Sequence, residues 1–176
     1  MQNYSGELNY ETYKQIKYIA EIAKDSITDQ LYNVLAKDKN KIDFMESRIK
    51  TYDSLIDKMK YKGYELSVNG LLKNINDLIG IRFVCKNLND VYNIVNDIKK
   101  EKKIKVITEK DYISQPKKSG YKSFHLIIEP KIKIMDYTFT VRAEIQVRTY
   151  EMQLWANWAH DLIYKKNMRS SIEYVS

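Results

Sequence analysis

The run Asp77–Lys86, DLIGIRFVCK, sets the tightest limit on what this chain can become. Ile, Val and Phe crowd it, which predicts a central β-strand rather than a surface one. One residue does not suit such a run. Arg82 lies between Ile81 and Phe83, and an unpaired guanidinium in an apolar interior is very costly. It needs a partner or a solvent-filled groove along the sheet. Asp77 stands at the mouth of the same strand.

A second stretch has a polar face. Along a strand the side chains alternate, so in Ala143–Thr149 Ala143, Ile145 and Val147 point one way. Glu144, Gln146 and Arg148 point the other. Tyr121, Ser123 and His125 are expected to share one face of a strand over 121–130, and further strands are predicted over 104–113 and 137–149. Residues 42–50 read as a strand or the end of a helix, with Ile42, Phe44 and Ile49 imperfectly in register. Helical spacing of Ile16, Ile19, Ala20, Ala23, Ile27, Leu31 and Val34 predicts a helix from Tyr10 to Leu35, capped by Asn9 or Thr12. Short helices follow at 51–63, stopped by Gly63, and within ELSVNGLLKNI, the latter a helix or a turn. Residues 87–103 form an amphipathic helix with Val91, Ile94, Val95 and Ile98 on one stripe. A last helix begins at Tyr150 with Met152, Trp155, Ala159 and Ile163 on one face. The order α-β-α-β-α-β-β-β-α predicts an α+β chain with helices packed on a small mixed sheet.

Composition narrows the classes. With 176 residues, 44% of them hydrophobic, the chain can bury a core, so wholesale disorder is excluded. Five Gly and two Pro exclude collagen and flexible linkers, and the single Cys85 excludes a disulfide framework and a Cys-cluster zinc site. No apolar run approaches a membrane span and the N-terminus has no signal-peptide core, so a cytoplasmic protein is expected. The net charge is +7, nearly all of the excess being Lys, which on its own describes a solvated basic surface. It gains meaning only where cations converge.

Two places bring cations together. Arg48 and Lys50 have the i, i+2 spacing of one strand face, and Ser54 and Lys58 have the i, i+4 spacing of one helical face. Cations leading into a helix start with a hydroxyl make a triphosphate cradle. In PKKSGYKSFH, Lys117 and Lys118 precede Gly120 and Tyr121, a loop suited to an oligophosphate with a ring that stacks on a base. Asp77 and Glu144 come from separate strands. If those strands are neighbours, the pair can hold Mg²⁺ together with substrate phosphates, or one acid can orient an attacking hydroxyl. There is no Walker-type loop and no protein-kinase motif set. His125 and His160 are too few for a zinc site, and His160, near Trp155 and Trp158, reads as a packed structural histidine.

Four segments, RIKTYDSLIDKM, NDLIGIRFVC, EKDYISQPKKSGYKSFHLII and AEIQVRTYEMQLWANWAHDLIYK, appear in order over Ile42–Lys165. With them the chain resembles the synthetase domain of the RelA/SpoT-homologue alarmone synthetases, especially the small single-domain members. The resemblance implies a nucleotidyltransferase-like mixed β-sheet of about five strands flanked by helices. It divides the chain into an N-terminal helical segment, 1–41, and a synthetase domain, 42–176, together one globular unit. It implies transfer of the β,γ-pyrophosphate of ATP to the ribose 3′-hydroxyl of GDP or GTP, with Mg²⁺ as cofactor. Carried over position by position, Arg48, Lys50, Ser54 and Lys58 would hold the ATP phosphates and Arg82 would stack on the adenine side. Asp77 would bind Mg²⁺, and Glu144 would bind Mg²⁺ or activate the hydroxyl. Tyr121 would stack on the guanine, while Lys110, Lys117, His125 and Gln146 would line the acceptor or pyrophosphate path.

The chain departs from the small members in three places. Ala159 stands where they carry a Glu before the helix histidine, and Gln153 replaces an Asp or Asn. Their C-terminal helices build a tetramer, whereas this sequence stops at Ser176, so the assembly is expected to be absent or the chain truncated. The hydrolase domain of the long members has no counterpart. Some small relatives are toxins, with antitoxin partners, that modify the 3′ end of tRNA; the +7 charge and Ala159 fit that acceptor as an alternative. A pseudoenzyme that only binds RNA is disfavoured by the intact Asp77, Tyr121 and Glu144.

Overall fold

The structure, a computed structural model, describes residues 6–134 and 136–159. Helix α1 (Tyr10–Val34) buries Ala20, Ala23, Ile27 and Leu31, one stripe of its apolar spacing. Asn9 and Thr12 start it together. The Asn9 side chain accepts the Thr12 N–H at 3.0 Å and the Thr12 hydroxyl accepts the Asn9 N–H at 2.9 Å, which satisfies two donors the helix leaves over. A 3₁₀ turn, Ala36–Lys41, leads into β1 (Ile42–Ile49), so residues 42–50 are a strand and not a helix end. Its pairing slips between Ile42 and Phe44, which is why the alternation there is imperfect.

Thr51 caps α2 (Tyr52–Tyr61), and Gly63, at φ 65°, follows its end in the left-handed region that a side chain disfavours. ELSVNGLLKNI contains α3 (Val68–Asn74), capped by Ser67. Then come β2 (Ile79–Cys85), α4 (Leu88–Lys100), β3 (Val106–Asp111), β4 (Phe124–Ile128), β5 (Lys131–Ile134), β6 (Tyr137–Thr140) and β7 (Ala143–Thr149). A helix, α5, follows directly, described over 150–159.

Five strands make one mixed sheet in the order β1-β2-β7-β4-β3, with β2 and β7 parallel and the other neighbours antiparallel. Ile79, Ile81, Phe83, Ala143, Ile145, Val147 and Leu126 are buried, on the face where α1 and α4 pack. Each fully buried Ile or Phe contributes roughly 1.5–3 kcal/mol, so this face dominates the stability of the sheet. The opposite face carries the polar residues of β1, β2 and β7 and stays partly open.

Two predicted strands are shorter than expected. The strand placed over 121–130 begins only at Phe124. Gly120, at φ 82°, donates its N–H to Lys117 O at 2.8 Å, and Lys117 N–H donates to Tyr121 O at 3.2 Å. The backbone of Tyr121 therefore closes a loop instead of joining the ladder. The strand placed over 137–149 divides at Val141–Arg142, because β6 pairs with β5 in a separate two-stranded sheet while β7 pairs with β2 and β4. On α5, Met152, Trp155 and Ala159 are half-buried, and the fully buried residue is the polar Gln153. Ile163 and His160 lie outside the described residues. Among the described residues no helix is long and apolar enough to cross a membrane.

Candidate active site

The open face of the sheet holds a cleft of about 290 Å³ lined by Glu46, Arg48, Asp77, Arg82, Glu144 and Gln146, among others. Strand register builds it. Glu46 lies opposite Arg82, and Arg82 opposite Gln146; one step along, Arg48 lies opposite Gly80, and Gly80 opposite Glu144. Gly80 leaves room at the centre: the nearest atom to an added Cβ would be Arg48 Cγ at 3.6 Å. Arg82 has both the partner and the groove its position demands. Its guanidinium forms an ion pair with Glu46, and its Nε–H donates to Gln146 Oε1 at 3.3 Å.

Asp77 enters this cleft from the loop before β2. Its carboxylate meets Lys50 Nζ at 3.2 Å and Lys58 Nζ at 2.8 Å. The main chain fixes the same point, since Lys50 N–H donates to Leu78 O at 2.9 Å. Tyr13 of α1 donates its hydroxyl to Lys50 O at 2.9 Å and so ties the N-terminal helix to this corner. Ser54 lies one helical turn before Lys58, exposed, sharing its hydroxyl with Thr51 at 2.9 Å. Arg48 is exposed and makes no ion pair among the described residues, a cation left available to a ligand.

Glu144 is the most heavily shaped group. Burial alone would push its carboxyl up. His125 counters this, with Nδ1 3.3 Å from Glu144 Oε2; so do Gln146, whose amide donates to Oε1 at 2.6 Å, and the positive charge of Lys58. Together they hold it at about 2, so it stays ionised. His125 Nε2 lies 2.9 Å from the Tyr121 hydroxyl. A carboxylate can only accept, so Nδ1 carries a proton; Nε2 then accepts from the Tyr121 hydroxyl in the neutral ring and donates to it in the imidazolium. Because the folded carboxyl is depressed below its ordinary 4.5, its contribution to stability is full above that value and is lost as pH falls through about 2. Thermal denaturation in a pH series is therefore expected to show a shallower decline between about pH 5 and 2 in Glu144→Gln than in the parent protein. Equal slopes would disprove the depressed carboxyl.

Tyr121 belongs to a ring cluster that the sequence did not disclose. Tyr112 meets His125 edge-to-face at 5.1 Å and Tyr121 at 6.2 Å. Lys117 Nζ lies 4.5 Å from the Tyr112 ring centre and 4.8 Å from that of Tyr121. Arg148, only 2% exposed, donates to Gln146 Oε1 and lies 5.6 Å from the Tyr121 ring. Its burial pulls the guanidinium down to about 10, still charged at neutral pH. Lys110, on β3, pairs in register with His125 of β4 and is exposed.

The structure thus brings Arg48, Asp77, Arg82, Glu144 and Gln146 to one cleft, with Lys50 and Lys58 paired to Asp77, His125 in contact with Glu144, and Tyr121 in contact with His125. Lys110 and Ser54 are not among the residues that line the cleft. Glu46, Tyr112 and Arg148 were not among the predicted site residues. The i, i+2 spacing of Glu46 with Arg48, and of Arg148 with Gln146, was the available signal.

The donor set suits a hard divalent cation. Asp77 Oδ1 is buried without a hydrogen-bond partner, because the Lys58 contact is an ion pair with poor hydrogen-bond alignment. Among the described residues no group of three or more His, Cys, Asp or Glu could hold a metal. Two carboxylates would have to share the ion with phosphate oxygens, the arrangement Mg²⁺ favours.

This sheet, with a cleft of paired acids and cations on its open face, has the fold of the small alarmone synthetases. The crystal structure of small alarmone synthetase 2 from Bacillus subtilis matches it with TM-score 0.77 and 33% identity, over 88% of this chain and 82% of that one. Small alarmone synthetase 1 from the same organism, bound to its product pppGpp, matches with TM-score 0.79 and 25% identity over 88% and 81%. In sequence, the GTP pyrophosphokinase YwaC of Bacillus subtilis is 38% identical over 144 residues, 82% of this chain and 68% of its own length. The family model described as a region found in RelA / SpoT proteins matches residues 47–169, and the chain belongs to that family.

Proposed function

We propose that this chain transfers the β,γ-pyrophosphate of ATP to the ribose 3′-hydroxyl of GDP or GTP, yielding AMP and ppGpp or pppGpp. The observation that carries the reading is the meeting of Asp77, Glu144, Arg48 and Arg82 in one cleft, with Lys50 and Lys58 paired to Asp77, in a chain whose relatives include a GTP pyrophosphokinase and an alarmone synthetase holding pppGpp.

Each part has a physical task. Arg48, Lys50, Lys58 and Arg82 neutralise a polyphosphate that would otherwise resist a nucleophile, with Ser54 at the start of α2 as a further donor. Lys50 and Lys58, tied to Asp77 without ligand, can turn to phosphate oxygens. Arg82 offers a flat guanidinium to the adenine once it leaves Glu46. Tyr121 stacks on the acceptor base, while Lys117 and Lys110 attract the acceptor's phosphates. Glu144, kept ionised, accepts a hydrogen bond from the 3′-hydroxyl and aligns it, with His125 and Gln146 fixing the carboxylate. The oxygen–Pβ bond forms as the Pα–O–Pβ bridge breaks, AMP departs with the bridging oxygen, and the hydroxyl proton passes to Glu144. Mg²⁺, held by Asp77 and Glu144, would supply positive charge to the transferred pyrophosphoryl oxygens.

The test is to incubate the pure protein with ATP labelled in its β- or γ-phosphate and either GDP, GTP or deacylated tRNA. Label is expected on the guanine nucleotides. Label appearing only on tRNA would replace this acceptor with the 3′ end of an RNA, and no transfer to any of the three would overturn the reading.

A further inference from the structure

Arg142 stands between β6 and β7, two residues before Glu144, on the stretch where the chain changes sheets. Its side chain leaves that junction and crosses to the segment that delivers the other acid. One terminal nitrogen donates to Lys73 O at 2.9 Å and to Asn76 Oδ1 at 3.0 Å, and Asn76 is the residue immediately before Asp77. Its Nε faces Glu129 Oε1 at 3.5 Å. Glu129 is itself held from the other side, with Oε2 3.1 Å from Lys105 Nζ and its N–H donating to Lys105 O at 3.0 Å. Lys105 first, and Arg142 with it, lower the Glu129 carboxyl and keep it a charged anchor.

We propose that Arg142 is a positioning residue for the reaction, setting the location of Asp77 relative to Glu144 by clamping the C-terminal end of α3 and Asn76 onto the start of β7. The inference rests on the reading of Asp77 and Glu144 as the acids of the reacting centre. Asp77 lies on the short connection between α3 and β2, so its side chain is located by the ends of that connection. Lys50 and Lys58 hold its carboxylate, and both are expected to turn to phosphate when a nucleotide enters. The Arg142–Asn76 tie involves no substrate-facing group and persists. It holds the residue before Asp77, while the Lys50 N–H to Leu78 O bond holds the residue after it.

The test uses the full chain. Mn²⁺, counted by electron paramagnetic resonance in the presence of the unreactive ATP analogue AMPCPP, reports the acid pair without turnover. Arg142→Ala and Asn76→Ala are each expected to weaken Mn²⁺ binding by roughly tenfold, the scale of losing a partner that orients a metal ligand. Each should lower kcat by a similar factor, with the KM for acceptor unchanged. Arg142→Lys, which keeps a donor but not the fork, should recover part of the loss, and the Arg142→Ala, Asn76→Ala double variant should be little worse than either single one. Unchanged Mn²⁺ binding and kcat in folded Arg142→Ala or Asn76→Ala would overturn the proposal, as would additive losses in the double variant. Asp77→Asn separates this outcome from a failure of the site reading: if it too binds Mn²⁺ and turns over normally, the acid pair itself is misassigned.

Discussion

Glu144→Gln is expected to cut turnover by about a thousandfold or more while ATP affinity stays within about twofold, which places roughly 4 kcal/mol of barrier on one carboxylate. The replacement is nearly isosteric, and its amide oxygen can still accept the hydrogen bond that Gln146 now donates at 2.6 Å. The cleft should therefore keep its shape. What is lost is the negative charge that His125 and Gln146 hold in place and that the 3′-hydroxyl needs as its acceptor. Single-turnover transfer of label from ATP measures the chemical step, and calorimetry with AMPCPP measures donor binding. Residual turnover within tenfold of the parent would remove Glu144 from the reacting centre. A loss fully reversed by raising Mg²⁺ would assign it to metal binding alone, and a loss that Mg²⁺ leaves untouched assigns it to the hydroxyl.

The sheet and the cleft differ in how far they could be read in advance. The apolar run of β2 and the alternation of β7 were plain because both strands are central, where burial forces the side-chain pattern. Arg82 was informative for the same reason: a charge in such a run demanded a partner or a solvent-filled groove, and it has Glu46 and Gln146 on the wall of a cleft. Strand ends were not legible. Nothing in YKSFH itself announces that Tyr121 spends its carbonyl closing the Gly120 loop on Lys117, and the change of sheets at Val141–Arg142 depends on pairing with distant segments. The same limit hid the tie from Arg142 to Asn76, which are 66 positions apart. Arg148 continues the polar alternation of β7, yet its burial beside Tyr121 arises only when the loop after β3 folds back over that strand. Pattern therefore disclosed which residues face the groove, and tertiary contact decided which of them touch.

Tyr121 offers the sharpest separation of acceptor from donor. Its ring lies within 5.6 Å of Arg148 and 4.8 Å of Lys117, so the ring face is already used by cations, and a guanine that stacks there must displace at least the lysine side chain. Replacing the ring by Ala removes a stacking platform of about 1–3 kcal/mol, which predicts a rise in acceptor KM of roughly ten- to a hundredfold. Ala would also uncover Arg148, whose guanidinium is otherwise buried, so Tyr121→Leu serves as a companion that keeps apolar cover without a π-face. Both variants should raise the KM for GDP and GTP together and leave ATP binding within about twofold. Tyr121→Phe isolates the hydroxyl. It keeps the ring but removes the hydrogen bond to His125 Nε2, so acceptor KM should be nearly unchanged while kcat falls by only a few-fold through a less firmly held imidazole. Steady-state kinetics with each nucleotide varied in turn distinguishes these patterns. If Tyr121→Leu alters the KM for ATP and spares that for the acceptor, the ring serves the donor side, and the two nucleotides must be exchanged across the cleft.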